Sequence, residues 1–319
     1  MRVSTAQIFD TGTFGIQTNQ ANLFKIQNQL STGRRILTPA DDPVGASQAL
    51  VVTQSRDVNK QYADNQDLAR SQLGLLESNL SLVGDELQNI MEKAVNSGNG
   101  TLGPAERNMI ATELQGRLDN LIGLANAQDG TGQYLYSGFQ AQVKPFLVTG
   151  NVAVGVPPAF DLNNTHVSYS GDDGLRLLQV DASQQMAINM AGSEAFMKVR
   201  DAAGNLTGRS IFDSVKNLIN NLQQSPFSSD GLQTEIADLH SALDNISRVR
   251  ATVGTRMSAL DGLTNTSGDL KVQYEQRLSE LQDVDYAKAI SDLSRHQMQL
   301  EAAQKSFAQT SQLSLFNVI

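Results

Sequence analysis

The spacing of apolar residues predicts long amphipathic helices over most of the chain. Between residues 54 and 95 the apolar positions follow alternating steps of three and four, the heptad spacing of a helix that packs along one face: Leu73, Leu76, Leu80, Val83, Leu87, Ile90 and Ala94. A second heptad series begins at Leu232 and weakens after Leu260. A single helix over residues 230–283 would be about 80 Å long and would need a rod-like partner. The competing interpretation is a bend or break at an internal glycine, which costs about 1 kcal/mol inside a helix: Gly254, Gly262 or Gly268.

Proline marks two further helix starts. Asp42-Pro43 and Gly103-Pro104 each place a capping residue before a proline, which is tolerated at the first helical position because its missing N–H is not needed there. Helical spacing then continues from Ile110 to Ala125 and returns from Ser210 to Leu222. These segments predict two shorter helices.

The segment from Gln133 to Gln185 has a different character. Short runs of apolar and aromatic residues lie between clusters of Gly, Pro, Asn and Asp, a pattern typical of short strands: Tyr134–Tyr136, Phe146–Val148, Val152–Val154, Val167–Tyr169 and Leu175–Leu178. The sequence therefore predicts a mainly α fold, an elongated helical rod with an inserted β-rich lobe. The two halves of that rod come from opposite ends of the chain.

Both chain ends carry narrow apolar stripes. In the N-terminal segment one heptad register collects Phe9, Ile16, Leu23, Ile26 and Leu30, and in the C-terminal segment three residues lie seven apart: Leu293, Leu300 and Phe307. The apolar side chains of the first 30 residues return less free energy than ordering their backbone costs. We therefore expect each end to become ordered when another helix and further chains cover its stripe. The alternative is that each end packs on its own chain as an ordinary bundle helix.

Composition excludes several classes of protein. The chain has no cysteine, which rules out disulfide scaffolds, thiolate metal sites and thiol nucleophiles. Its three histidines, His166, His240 and His296, are far apart, and 33 acidic against 24 basic residues give a net charge of −9, which disfavours nucleic acid and anionic lipid as partners. We expect a soluble chain, since it lacks both an 18-residue apolar run and the apolar region of a secretory signal.

Two pairs of adjacent aspartates are the candidate metal or catalytic groups, and both are better explained as structural elements. Asp41 and Asp42 could form a metal or acid–base pair, but with no third carboxylate nearby they fit better as a cap before Pro43, so Asp42 and Pro43 are the predicted helix cap. Asp172-Asp173 predicts a turn because the calcium-loop alternation is absent. We predict no catalytic, metal-binding or cofactor-binding residue and no enzyme activity.

Several segments toward both ends of the chain together form a recognisable signature: Gln29–Ile36, Asp41–Ala46, Leu87–Val95, Glu106-Arg107, Tyr134–Gly138 and Ala302–Phe316. Through these segments the chain resembles the bacterial flagellin family. Pro43 after the acidic pair, and Asn89 and Met91 where flagellins commonly have arginines, favour the branch of the family found at the junction between hook and filament.

The resemblance implies paired N- and C-terminal helices that line an inner tube, a helical rod outside them and a β-rich lobe facing solvent. The predicted domains are terminal assembly helices (1–45 and 285–319), a helical rod domain (46–132 and 210–284) and a β-rich outer domain (133–209). Subunits would polymerise between hook and filament and connect the two. The predicted assembly interface is formed by Leu23, Ile26, Leu30, Leu293, Leu300, Phe307, Leu313 and Leu315.

The implied partners are further copies of the chain, a hook-side junction protein, flagellin and a flagellar export chaperone of the FlgN type. The implied location is the extracellular flagellum, after export of the unfolded chain through the type III apparatus without a cleaved signal peptide. Two alternatives remain. One is a filament flagellin, which would form long homopolymers, and the other is a surface-binding module or hydrolase carried by the β-rich lobe.

Overall fold

A computed structural model describes residues 5–100, 102–149, 152–153, 159–160, 166–200 and 204–316. Its helices are α1 (Thr5–Thr32), α2 (Pro43–Ser97), α3 (Pro104–Ala125), α4 (Ile211–Gln223), α5 (Ser229–Gln282) and α6 (Tyr286–Phe316), with a short π-helical turn at Ser193–Met197. The chain forms two compact units, Met1–Lys60 with Gly268–Ile319, and Gln61–Ser267. The helices α2 and α5 each contribute residues to both units.

The helices match the sequence expectations closely. α2 begins at Pro43 and α3 at Pro104, and α5 runs unbroken through its three glycines, so the predicted single long helix is confirmed and the competing interpretation of a break is wrong. All three glycines lie on exposed positions of α5, where they interrupt no buried contact. The buried seam of this helix supplies the free energy that offsets their poor helix propensity.

The core of the second unit is built on the predicted heptads. All seven seam residues of α2 are at most 1 % exposed, and they share one hydrophobic cluster with Leu114 and Leu121 of α3 and with Leu239, Ile246 and Val253 of α5. The weakening of the α5 seam is also present, since Leu260 is its last buried apolar residue.

Polar seam positions in this unit have partners of their own. Arg250 of α5 occupies a heptad position and forms a salt bridge with Glu77 of α2, with 2.7 Å between Nη2 and Oε1. The amide of buried Gln66 donates to Val180 O at 2.7 Å and to Ser267 Oγ at 3.1 Å. These hydrogen bonds reduce the cost of placing the Gln66 amide and the Arg250 guanidinium at seam positions.

The described residues of the middle segment form three antiparallel strand pairs. The strands are β1 (Phe146–Thr149), β2 (Val152–Ala153), β3 (Ala159–Phe160), β4 (His166–Tyr169), β5 (Leu177–Gln179) and β6 (Gln185–Ala187). β1 pairs with β4, β2 with β3 and β5 with β6. Four of the predicted runs overlap strands, but the strand predicted at Tyr134–Tyr136 is wrong: these residues lie in turns and one isolated bridge, between Gln128 and Tyr134.

The reason for that error is the burial of Tyr136. Its ring is fully buried, and its hydroxyl donates to Asn79 Oδ1 of α2 at 2.7 Å. The ring also meets Phe196 edge to face at 5.0 Å. The aromatic residue thus belongs to the helical core, and its β propensity reflects burial rather than a strand.

The aromatic side chains of the middle segment belong to the core of the second unit. Phe146, Phe196 and Phe212 pack with ring centroids 5.1 to 5.8 Å apart. Asn126, just after α3, holds β1 by accepting from Phe146 N at 2.9 Å and donating to Phe146 O at 3.0 Å. The division into three domains stays a prediction. In the part of the chain that the structure describes, no helix combines the length and apolar character needed to cross a membrane.

Replacing Leu80 with alanine should destabilise the second unit by about 2–5 kcal/mol, because it leaves a cavity in the buried seam. Leu82→Ala is the matched control on the same helix, since Leu82 is 52 % exposed and its loss should cost less than about 1 kcal/mol. Urea denaturation followed by far-UV circular dichroism measures both. Equal effects of the two variants would contradict the assignment of the seam.

Candidate assembly site

The first unit is organised around the pairing of the two terminal helices, in which α1 packs along α6. The ring of Phe9 meets that of Phe307 edge to face, with centroids 5.4 Å apart. The Phe307 ring also lies directly against Gly12, where a Cβ would overlap it. The pairing therefore brings together segments that lie almost 300 residues apart in the chain.

Six of the predicted assembly residues lie on α1 or α6, and each of them is half-buried: Leu23, Ile26, Leu30, Leu293, Leu300 and Phe307. Of these, Phe307 contacts the other helix, at Phe9 and Gly12. The contact of the six residues with other chains stays a prediction. Leu313 and Leu315 fall in the last turns of α6, where the side chains lie outside the described residues.

The pairing covers only part of each helix. Among the described residues of α1 none is buried, and in α6 only Ala289 is, at 7 % exposure. A two-helix contact covers one stripe on each partner and leaves the rest of its circumference open. The first unit thus has a seam but no closed core in these helices.

Large apolar side chains occupy the uncovered surface of the first unit. Phe14 and Phe24 of α1 are 70 % and 63 % exposed, and Met298 of α6 is 64 % exposed. Further exposed apolar residues of this unit are Val44, Leu50, Val51, Val58 and Ile290. Sequence analysis missed these residues because it followed only the heptad stripes. Large apolar residues that lie off the stripe of an amphipathic helix could have indicated a second apolar surface.

The turn between α1 and α2 is tied to the turn between α5 and α6. Gly33 ends α1 with a φ of +69°, a left-handed conformation that favours glycine, and its carbonyl accepts from Val284 N at 2.9 Å. Arg35 donates from its backbone N–H to Gln282 O at 2.6 Å and from Nη2 to Leu281 O at 2.8 Å. The α1–α2 turn, which contains part of the flagellin-like signature, is therefore hydrogen-bonded to the α5–α6 turn.

Asp41 organises the α1–α2 turn. Its carboxylate accepts from Lys25 Nζ at 2.7 Å and from the backbone N–H groups of Thr38 at 2.9 Å and Leu37 at 3.1 Å. The hydrogen bond from Lys25, and then that from Thr38, lower the pKa of Asp41 to about 2. This carboxylate is a structural acceptor in its charged form.

Asp42 and Pro43 stand at the start of α2. The Asp42 carboxylate accepts from Gly45 N at 2.9 Å, the geometry of an N-cap, and pairs with Arg35 at 3.2 Å. The hydrogen bond from Gly45, with Arg35, lowers the pKa of Asp42. A Cβ at Gly45 would lie 2.5 Å from Asp42 Oδ2 and 2.8 Å from Ile36 Cδ1, so the glycine leaves room for the cap.

Asp172 belongs to the second acidic pair, Asp172-Asp173, and its carboxylate stabilises a turn. Asp172 Oδ1 accepts from Phe139 N at 2.8 Å and from Gly174 N at 2.7 Å, as in a turn. In the described residues, no three His, Cys, Asp or Glu side chains are grouped so that they could hold a metal ion.

Comparison with known proteins places the two terminal regions in one family. Residues 3–141 match the model of the bacterial flagellin N-terminal helical region, and residues 236–319 match that of the C-terminal helical region. The chain belongs to the bacterial flagellin family. Within it, flagellar hook-associated protein 3 of Salmonella typhimurium is 32 % identical over 332 residues, covering 100 % of this chain and 99 % of that protein.

Two further relatives place the similarity in context. The flagellin of Bacillus subtilis is 23 % identical over 309 residues, covering 93 % of this chain and 92 % of that protein. The crystal structure of the flagellar junction protein FlgL from Legionella pneumophila shares the fold, with a TM-score of 0.60 at 20 % identity, over 74 % of this chain and 100 % of that chain. Similarity to flagellin itself is thus more distant than similarity to the hook-associated protein.

Acid should loosen the α1–α2 turn. Because the pKa of Asp41 is about 2 in the folded chain and 3.8 ordinarily, its contribution to stability is complete above about pH 5 and is lost as the pH falls through 2. Asp41→Asn should lower the melting temperature near neutral pH and remove this part of the acid dependence. Lys25→Met should act in the same direction, and the double variant should add little to either.

Thermal unfolding followed by circular dichroism across this pH range measures the effect. An Asp41→Asn variant that loses stability between pH 5 and pH 2 as steeply as the unmodified chain would contradict the role of the carboxylate.

Proposed function

We propose that this protein is a structural subunit of the bacterial flagellum that polymerises at the junction between hook and filament and connects the two. Full-length similarity to hook-associated protein 3, higher than that to flagellin, supports the junction over the filament itself. Its relatives are structural flagellar proteins, and we assign no reaction to the chain.

The observation that carries the proposal is the open apolar surface of the first unit. Exposed patches of large apolar side chains mark interaction surfaces in soluble proteins. Here they lie on α1, α6 and the N-terminal part of α2, beside a helix pair in which Ala289 is the one buried residue among those described. Packing between subunits would cover Phe14, Phe24 and Met298 and complete the core that two helices leave open.

The half-buried seam has a second role in this proposal. Leu23, Leu300 and Phe307 first hold α1 and α6 together, and the resulting pair then presents its outer surface to neighbouring subunits. Covering the exposed two-thirds of one phenylalanine ring contributes about 1–2 kcal/mol per subunit. Small contributions of this kind accumulate over a ring of identical contacts.

We further propose the partners that the junction position requires. A hook-side junction protein would contact one end of the assembly and flagellin the other. Before assembly, an export chaperone of the FlgN type would cover the apolar stripe of the C-terminal segment. Export as an unfolded chain through the type III apparatus, without a cleaved signal peptide, agrees with terminal helices that gain their full packing only in the assembly.

Replacing an exposed apolar residue and replacing a half-buried one should impair assembly in different ways. Phe24→Ser should weaken contact between subunits by about 1–2 kcal/mol, or 5- to 30-fold, while α1 and α6 stay paired. Leu300→Asp should prevent pairing and block incorporation while the second unit stays folded. Gln27→Ser is the matched control, an exposed polar residue on the same helix as Phe24.

These variants are compared by replacing the chromosomal gene and measuring swimming and the amount of flagellin shed into the medium. We expect shed flagellin to rise in Phe24→Ser and most in Leu300→Asp. Normal filament attachment in both variants would exclude this surface from assembly.

Purified protein distinguishes a junction subunit from a filament flagellin. We expect the chain alone, concentrated or salted out, to form short oligomers at most, because a junction assembly needs partners at both ends. Flagellin is the control, expected to form long homopolymers under the same conditions. Negative-stain electron microscopy measures the length, and long filaments of this chain would favour the flagellin alternative.

A further inference from the structure

The second unit contains a cleft that neither the hydrophobic core nor the assembly surface explains. It lies between α5 and the segment from Asp173 to Arg200 and has a volume of about 400 Å³. This is within the range of pockets that bind small molecules.

Arginine side chains supply much of its polar lining. Arg256 uses Nη1 to donate to the carbonyl oxygens of Ala187 at 3.3 Å and Asn189 at 3.2 Å, and Arg248 uses Nη2 to donate to Asn245 Oδ1 at 3.1 Å. A guanidinium carries five N–H donors, so each side chain retains others. Among the described residues, neither Arg248 nor Arg256 forms an ion pair with a carboxylate.

The two carboxylates that line the cleft are engaged elsewhere. Lys198 Nζ lies 2.9 Å from Glu194 Oε1 and 3.3 Å from Asp173 Oδ2, and Ser193 Oγ also donates to Asp173. The hydrogen bond from Ser193, with that from Lys198, lowers the pKa of Asp173. Arg200, also in the lining, reaches Glu194 at 4.0 Å. The carboxylates therefore leave the charges of the other two arginines uncompensated.

This excess of positive charge stands out in a chain of net charge −9. Arg256 is half-buried, and burial lowers the pKa of its guanidinium because the charged form loses solvation. A bound anion would offset that loss by pairing with the guanidinium, whose planar fork holds carboxylate or phosphate oxygens in pairs.

We propose that this cleft binds a small molecule with a carboxylate or phosphate group, which Arg248 and Arg256 hold, while an apolar portion contacts Leu175, Met190 and Val249. These three apolar residues form part of the same lining. The proposal concerns the second unit only and does not depend on where the subunit assembles.

Isothermal titration calorimetry on the full chain tests it, with inorganic phosphate and the six-carbon dicarboxylate adipate as probes at constant ionic strength. We expect saturable binding of at least one probe to a single site. Arg248→Gln and Arg256→Gln should each weaken that binding at least tenfold. Arg277→Gln is the matched control, since Arg277 is an exposed arginine of α5 that pairs with Glu280 at 3.0 Å and does not line the cleft.

Binding of adipate alone would identify a carboxylate ligand, and binding of phosphate alone a phosphate ligand; both support the proposal. Binding of neither probe, or unchanged affinity in the cleft variants, would overturn it. Circular dichroism checks that each variant is folded. If the Arg256→Gln variant is unfolded, the Arg248→Gln variant tests the proposal by itself. The side chain of Arg248 is exposed, so its replacement removes no buried packing.

Discussion

A pair of helices can cover only one stripe on each partner, and this limit governs the first unit. α1 and α6 pack against each other through contacts such as that between Phe9 and Phe307, and no described residue of α1 is buried. Phe14 and Phe24 remain on the uncovered surface. Because burying apolar area is the main source of stability, the proposed contacts with neighbouring subunits would supply the burial that the pair lacks.

The second unit meets the same requirement within its own chain. Its α2 seam is closed by α3, α5 and the aromatic residues of the middle segment, and polar groups such as Gln66 and Arg250 have partners. The buried core of this unit is thus formed within one chain, while side chains such as Met109 and Phe139 remain exposed on its surface. Its arginine-lined cleft is a separate feature, since charge rather than apolar area is left unmatched there.

Hydrogen bonds and ion pairs in the turns of the first unit define the helix ends, which apolar packing does not. The hydrogen bonds of Gly33 and Arg35 to the α5–α6 turn, and the Asp41 and Asp42 contacts, set where α1 ends and α2 begins. They combine charged side chains with backbone groups, which gives them defined direction. The acidic residues of the flagellin-like signature thus act as structural acceptors.

The sequence by itself determined the helices, the buried seam of α2, the helix starts at Pro43 and Pro104 and the family, because heptad spacing and proline are local signals. Only the tertiary structure decided that Tyr136 enters the helical core, that Phe9 meets Phe307 within one chain, and that Arg248 and Arg256 line a common cleft. Each depends on which distant segments meet. Spacing along the chain shows which face of an element is apolar, but not what covers that face.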